Sequence, residues 1–210
     1  MHPSAPRRTR TALMVLGLVA GTTASIVATS APAGAASTTI PVTSRASVTT
    51  AGAQLGGAGS LDGRVLVDGT GRYAFFSTKR AYGTGDTNGS FDVYRRDRIA
   101  GTTTRVSTLA NGDQITVGDA HLCGASDDGR YIGWAGAGAT AGGIPQVYLT
   151  DTKTGALSTV SLSSAEVVAG NGGASGIDTT EACPVSADGR YVAFTSAAGN
   201  LVANDSNCSA

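Results

Sequence analysis

The stretch "GDTNGSFD" at residues 85–92 sets four oxygen-bearing side chains at alternate positions: Asp86, Asn88, Ser90 and Asp92. Hard cations such as calcium draw several oxygen ligands from one tight turn, so these four are the candidate calcium ligands of the chain. "NDSNCS" at 204–209 repeats the spacing with Asp205, Asn207 and Ser209. Two features count against a metal. Few of the ligands are acidic, and no glutamate follows that could bind a cation through both oxygens. An Asx-turn followed by a glycine turn would use the same residues without an ion, and this is the favoured reading. Calcium is the one cofactor for which the chain offers ligands, and otherwise none is expected.

Catalytic chemistry has less to stand on. A Ser-His-Asp device would have to use His121, because the other histidine, His2, lies in the N-terminal leader described below. No nucleophile motif accompanies it. "GGASGID" at 172–178 has its glycines at the wrong offsets for a nucleophile elbow. Glu166 and Glu181 fall in loops, and no pair of carboxylates is placed for glycoside hydrolysis. No glycine-rich phosphate loop opens a helix. Cysteine ligation of a metal is not expected either, since no C-x-x-C occurs. The chain reads as a non-enzyme.

The elements that would hold such residues begin after a leader. Arg7, Arg8 and Arg10 precede an apolar run from Ala12 to Ala28, and Ala33-Gly34-Ala35 fits a small-residue cleavage site. Residues 1–36 are therefore expected to be a signal peptide cut after Ala35 or Ala36. The alternative, a membrane anchor, is disfavoured by the short and interrupted apolar stretch, so no membrane span is expected after cleavage. Arg7-Arg8 lacks the following hydrophobic residues of twin-arginine signals, which leaves general secretion. Loss of the three leader arginines leaves 12 basic against 15 acidic side chains, a net charge near −3. With only "RRDR" at 95–98 as a basic cluster, nucleic acid is not an expected partner.

The remainder is rich in Gly, Thr, Ser, Ala and Val, alternates apolar with polar residues, and has no sustained helical periodicity, so it should be all-β. It also repeats itself. "GTGRYAFFST" at 69–78, "DDGRYIGWAG" at 127–136 and "ADGRYVAFTS" at 187–196 are copies of one phrase, and "DVYRRDRIAGTTTRVS" at 92–107 matches "QVYLTDTKTGALSTVS" at 146–161. The middle copy parses into four strands: 121–126, 130–136, 146–152 and 157–163. Asp-Gly and Thr-Gly hairpin turns separate them, with glycine supplying the positive φ such turns require. Four antiparallel strands at a period near sixty residues describe one propeller blade. Tyr73, Tyr131 and Tyr191, with Phe75, Trp134 and Phe194, alternate along the second strands as packing between blades.

The phrases "S-x-D-G-R-Y-V-A-F-x-S", "N-L-V-x-x-D-x-N", "D-V-Y-x-R-D" and "G-T-T-T-R-V-S" resemble the TolB-like, WD-repeat-like β-propellers of secreted bacterial proteins over roughly residues 41–210. These motifs specify a blade rather than an activity. The family includes periplasmic scaffolds, and similar blades sit beside peptidase domains. The expected fold is an incomplete β-propeller of about two and a half four-stranded blades. After the signal peptide come a linker with an isolated outer strand (37–60), blade 1 (61–109), blade 2 (110–163) and a partial blade 3 holding its two inner strands (164–210). "TSRASVTTAGAQ" at 43–54 supports the isolated strand by matching "TTRVSTLANGDQ" at 103–114.

Two and a half blades cannot close a ring. The leading expectation is a truncated gene product, and the alternative is self-association through open blade faces, since bare sheet edges and apolar faces invite a partner. The short hairpins share one end of the blades. The long connections 78–90, 110–119, 137–145 and 164–181 share the other, which is where a partner would be sought. Cys123 and Cys183 each precede the glycine of Asp-Gly-Arg-Tyr by six residues, on neighbouring inner strands. Cys208 lies on the long-loop face with the start of the Cys183 strand, so a Cys183–Cys208 disulfide is favoured over Cys123–Cys183. The alternative is that the cysteines act as small buried apolar residues. The functional expectation is a secreted or cell-envelope binding or scaffold module for protein or cell-wall glycan. The alternatives are the non-catalytic portion of a secreted peptidase-like hydrolase, or a fragment without function.

Overall fold

The computed structural model describes residues 43–56, 61–116, 118–137, 145–167 and 182–204. The expected signal peptide, Asp205, Asn207, Cys208, Ser209 and most of the loop 164–181 lie outside them. Among the described residues there is no helix. Strands β1 (Leu61–Val67), β2 (Tyr73–Thr78), β3 (Asp92–Asp97) and β4 (Thr102–Arg105) form one antiparallel sheet in sequence order. Strands β5 (Ala120–Ala125), β6 (Tyr131–Gly136), β7 (Gln146–Asp151) and β8 (Leu157–Thr159) form a second, also in order. The protein is all-β, with two four-stranded sheets where the repeated phrases stand.

The repeated phrase earns its spelling at the first hairpin of each copy. In the second sheet, Ser126 Oγ accepts the Tyr131 N–H (2.9 Å) and donates to Asp128 Oδ1 (2.6 Å), which in turn accepts the Arg130 N–H (3.0 Å). Ser186, Asp188, Arg190 and Tyr191 repeat the set at 3.0, 2.7 and 3.1 Å. The first sheet spells it differently and swaps donor for acceptor. Asp68 Oδ1 accepts the Tyr73 N–H (2.7 Å), while the Thr70 hydroxyl donates to Asp68 Oδ2 (2.5 Å) and accepts the Arg72 N–H (3.3 Å). The glycine before each arginine sits at φ 71°, 69° and 70°, a left-handed turn that a side chain would strain. Each arginine then crosses to the third strand: Arg72 forks onto Asp97, and Arg130 onto Asp151, both with a shortest contact of 2.7 Å.

The two sheets meet face to face. Phe75, Val93 and Val106 of the first pack against Leu122, Ile132, Trp134 and Tyr148 of the second, all buried. Each large side chain taken from water here contributes roughly 1.5–3 kcal/mol. Polar groups at the seam are satisfied across it. The Leu122 N–H reaches Ser77 Oγ (2.7 Å), and the Trp134 Nε1–H reaches Thr150 Oγ1 (3.0 Å), whose hydroxyl reaches the Val106 carbonyl (3.3 Å).

The third copy packs on the second sheet by a different device. Val185 and Val192 form an isolated antiparallel bridge, and the segment builds no full strand. Cys183 is disulfide-bonded to Cys123, with Cα atoms 4.9 Å apart, and its N–H reaches the Cys123 carbonyl (3.0 Å). The favoured Cys183–Cys208 pairing is therefore corrected: the Cys183 sulfur already holds Cys123. The reason lies in two glycines. A Cβ on Gly124 would stand 1.9 Å from the Cys183 carbonyl oxygen, and one on Gly133 2.6 Å from its sulfur. Without those side chains the two backbones come within disulfide reach.

Residues 43–56 form no strand, yet they repeat a turn found after both sheets. Thr49 accepts from Gly52 (2.8 Å) and donates to Ala53 (2.9 Å). Leu109 does so with Gly112 and Asp113, and Ser163 with Glu166 and Val167, at the same distances. The segment lies beside β4: the Thr103 hydroxyl donates to the Val48 carbonyl (2.6 Å), and Arg96 to the Thr49 carbonyl (3.1 Å). The match between 43–54 and 103–114 is thus a shared local structure.

Candidate ligand-binding site

The loop from β2 to β3 and the first residue of β3 carry the four expected calcium ligands, and the structure treats them unequally. Asp86 and Asp92 converge on Arg105 of β4, whose Nη1 lies 3.9 Å from Asp86 Oδ1 and 3.7 Å from Asp92 Oδ2. Both carboxylates are almost fully buried. The guanidinium also faces the Gly85 carbonyl, at 3.4–3.5 Å. Asp86 further accepts from the Tyr94 hydroxyl and from Gln114 Nε2 (3.3 Å). Asp92 accepts from Ser107 Oγ (2.6 Å), which itself takes the Val93 N–H (3.0 Å).

Asn88 reaches Asp92 through a side-chain hydrogen bond and holds the loop through others. Asn88 Nδ2 donates to the Ile115 carbonyl (2.8 Å), and its Oδ1 accepts the Ser90 N–H (2.9 Å), the bond of an Asx-turn. Gln114 Oε1 pins the same loop by accepting from Thr87 N–H (3.2 Å) and hydroxyl (3.0 Å). Arg105 therefore supplies the positive charge between Asp86 and Asp92. Among the described residues no group of three or more His, Cys, Asp or Glu side chains could hold a metal ion.

Burial shapes the electrostatics. Desolvation pushes the Asp92 carboxyl above its ordinary value, with the Ser107 hydrogen bond and the Arg105 charge pulling the other way. Asp92 Oδ2 and Arg105 Nε are buried without a hydrogen-bond partner. Burial, then the hydrogen bond to Asp86, push the Tyr94 hydroxyl far up, so it stays protonated and donates. Stacked on Phe76 (5.9 Å) and set edge-on to Tyr82 (5.8 Å), Tyr94 ties the charged cluster to an aromatic one.

Above this floor lies an open cleft of about 530 Å³. Its walls are Thr49 and Thr50 of the N-terminal segment, Tyr82 and Thr84 of the loop, and Thr104 and Thr108 at β4. Six threonines and Tyr82 are among the lining residues, and the charged residue among those described there, Arg105, is engaged by two buried carboxylates behind it. The cleft thus offers hydroxyl hydrogen bonds, threonine methyl groups and an aromatic edge, over a charge cluster that is turned inward.

Nothing here assembles a nucleophile. His121 is buried with its ring against Phe91 (centroids 5.1 Å apart). The buried hydroxyls of Ser107 and Ser161 donate to Asp92 and Gln146. Sequence reasoning missed Arg105, Tyr94 and Gln114. The signal was a paired substitution: where the first copy has Asp92 and Arg105, the second has Gln146 and Thr159. A charge pair lost together marks residues that touch.

No protein-family model and no curated protein matches this sequence. A solved structure described as "putative TolB from Agrobacterium tumefaciens" is similar over 62% of this chain, at 18% identity and a TM-score of 0.40. The matched part spans about a third of that structure, 36% of its length.

Proposed function

We propose that this chain is an exported, non-catalytic binding module of β-propeller type, and that its cleft beside β4 takes a neutral, hydroxyl-rich cell-envelope ligand such as a cell-wall glycan. The observation that carries the reading is the pairing of equivalent four-stranded sheets with a threonine- and tyrosine-lined cleft whose lining cation, Arg105, is already engaged by two buried carboxylates. Propeller blades are sheets of this kind stacked face to face. Glycans are recognised by hydroxyl hydrogen bonds and an aromatic surface rather than by net charge. Export is supported by the leader pattern, and by a disulfide that persists only in an oxidising compartment.

Co-sedimentation with insoluble peptidoglycan tests the reading. The wild-type chain is expected in the pellet, and a Thr84→Trp variant, which fills the cleft from an exposed position, in the supernatant. Equal sedimentation of both, or of neither, overturns it.

A further inference from the structure

Tyrosine 191 is a latch without a catch. At the first junction the ring of Tyr73 lies on the hairpin of the next copy, so close that a Cβ on Gly129 would be 2.7 Å from its Cδ2. At the second, Tyr131 lies on the hairpin of the third copy, 2.6 Å from where a Gly189 Cβ would be. Tyr191 holds the same place in the third copy and is 67% exposed. The next residues on its face, Ala193 and Thr195, are exposed as well. Their equivalents in the first sheet, Phe75 and Ser77, are wholly buried.

The opposite end of the chain carries the matching catch. Gly71 has the same left-handed turn as Gly129 and Gly189, but among the described residues a Cβ there would meet no ring, and its neighbour within 4 Å is Arg98 Nη1, at 3.7 Å. The exposed Arg98 guanidinium, which donates to the Gly71 carbonyl (2.6 Å), is the side chain on which an incoming ring would stack. Beside it, Val65 pairs with Phe76 in β2 as Leu122 pairs with Trp134 in β6. Leu122 is covered by the preceding sheet and 1% exposed, whereas Val65 is 55% and Val67 59% exposed. The receiving face is bare at the position its counterpart buries.

We propose that two copies of this chain associate head to tail, the Tyr191 face of one seating on the Gly71 turn and the Val65–Val67 face of the other. The contact continues an interface the chain already makes twice within itself, and its two sides have the shapes those interfaces join. It is heterologous, because different surfaces of the two copies meet. The proposal rests on the stacked-sheet reading of the fold and not on the ligand assigned to the cleft.

Sedimentation velocity across a concentration series tests it. The wild-type chain should self-associate, and Tyr191→Ser alone, or Val65→Lys with Val67→Lys, should each weaken association by roughly thirtyfold or more, the scale of a lost aromatic anchor. All three sites are exposed, so the variants should keep the wild-type melting temperature. The decisive sample is the mixture. The Tyr191→Ser protein keeps a sound catch and the double lysine variant a sound latch, so together they should form a heterodimer although neither self-associates. A wild-type chain that stays monomeric throughout, or a mixture that fails to combine, overturns the proposal. Peptidoglycan co-sedimentation of the same variants should match wild type, which separates a failure here from a failure of the glycan reading.

Discussion

Two junctions join three copies of one phrase, and they are closed by different means. Between the first and second sheets the seam is filled by Phe75 against Leu122, Ile132 and Trp134. Between the second sheet and the third copy the position of Phe75 is taken by Gly133, and the sulfur of Cys183 occupies the space. The apolar side chains around it include Val147, Val185, Val160, Val192 and Phe194, the last three only partly buried. One seam depends on apolar area and the other on a covalent bond over a smaller apolar cluster. A segment with two short paired stretches buries too little to repay the entropy of ordering it, and a disulfide removes much of that cost from the unfolded side.

The largest break in the comparison should come from Phe75→Ala. Phe75 is fully buried at the centre of the first seam. Its removal should cost about 3–5 kcal/mol, read as a lower denaturant midpoint, and should loosen both sheets together in hydrogen exchange. Cys183→Ala should cost less, about 2–4 kcal/mol. Its signature should also be local: exchange protection falls in residues 182–204, while Leu122 and Trp134 keep theirs. If Cys183→Ala exposes the first seam as fully as Phe75→Ala does, the two junctions are not independent and the contrast fails.

Gly133→Ala sharpens the same point. The new methyl would press on the Cys183 sulfur, so it should cost about 1–3 kcal/mol in the oxidised protein. In a Cys183→Ala background the obstacle is smaller, and most of that cost should vanish. The coupling appears in a double-mutant cycle of thermal or denaturant melts. Additive effects would mean that Gly133 is there for another reason.

That glycine also shows where sequence reasoning stopped. In the two full sheets the strands, their order and the hairpins were legible, because alternation and Asp-Gly turns are local properties. The two inner strands expected of the third copy are reduced to an isolated bridge between Val185 and Val192. Phe75 and Trp134 were read as packing between blades, and both are fully buried. The match of Arg45, Ser47 and Gly52 to Arg105, Ser107 and Gly112 was legible, but it was read as an isolated outer strand, and residues 43–56 form a turn with no strand. The disulfide was misjudged because loop ends were weighed and distances between sheets were not. Gly124 and Gly133, which set that distance, read as ordinary strand residues. The calcium-like loop was legible as an oxygen-rich turn. Its Arg105 partner comes from another strand, and contacts between strands are not written in local spacing.

Acid should test the two full sheets against the third copy. The Arg72 hydrogen bond is the main influence that holds the Asp97 carboxyl down at about 2, and Arg130 holds Asp151 lower still. Both acids are depressed below their unfolded value, so their stabilisation is present above roughly pH 4 and fades as pH falls through the folded values. The arginines are 43% and 36% exposed, so solvent screens both pairs and the acid limb should be shallow. Among the described residues the Arg190 guanidinium meets its own Tyr191 ring, 5.5 Å away, and no carboxylate, so Arg190→Gln should leave the acid limb unchanged. Asp92 works in the opposite sense. Its carboxyl is raised by burial, so stability falls as pH climbs from the unfolded value through the folded one. Thermal melts from acid to neutral pH should show Asp97→Asn and Asp151→Asn flattening the acid limb. A limb that keeps its slope in both would remove the two pairs from the account.

The smallest effect concerns the turn that leads from the second sheet toward the covalent junction. The turns at 46–53 and 106–113 place Gly52 and Gly112 at φ 77° and 85°, whereas the third places Glu166 at φ 58°. A left-handed conformation costs a side chain roughly 1–2 kcal/mol relative to glycine. Against this, glycine gives up more freedom on folding, a difference of about 0.5–1 kcal/mol. Glu166 is exposed, so its replacement removes no packing. Glu166→Gly should therefore stabilise by a few tenths to about 1 kcal/mol, and Gly112→Glu, the reverse change in the preceding turn, should destabilise by a similar amount. Because the third copy is held by its disulfide rather than by this turn, the gain should appear equally in oxidised and Cys183→Ala protein. A gain confined to one of those backgrounds would show that the turn and the bond act on the same junction.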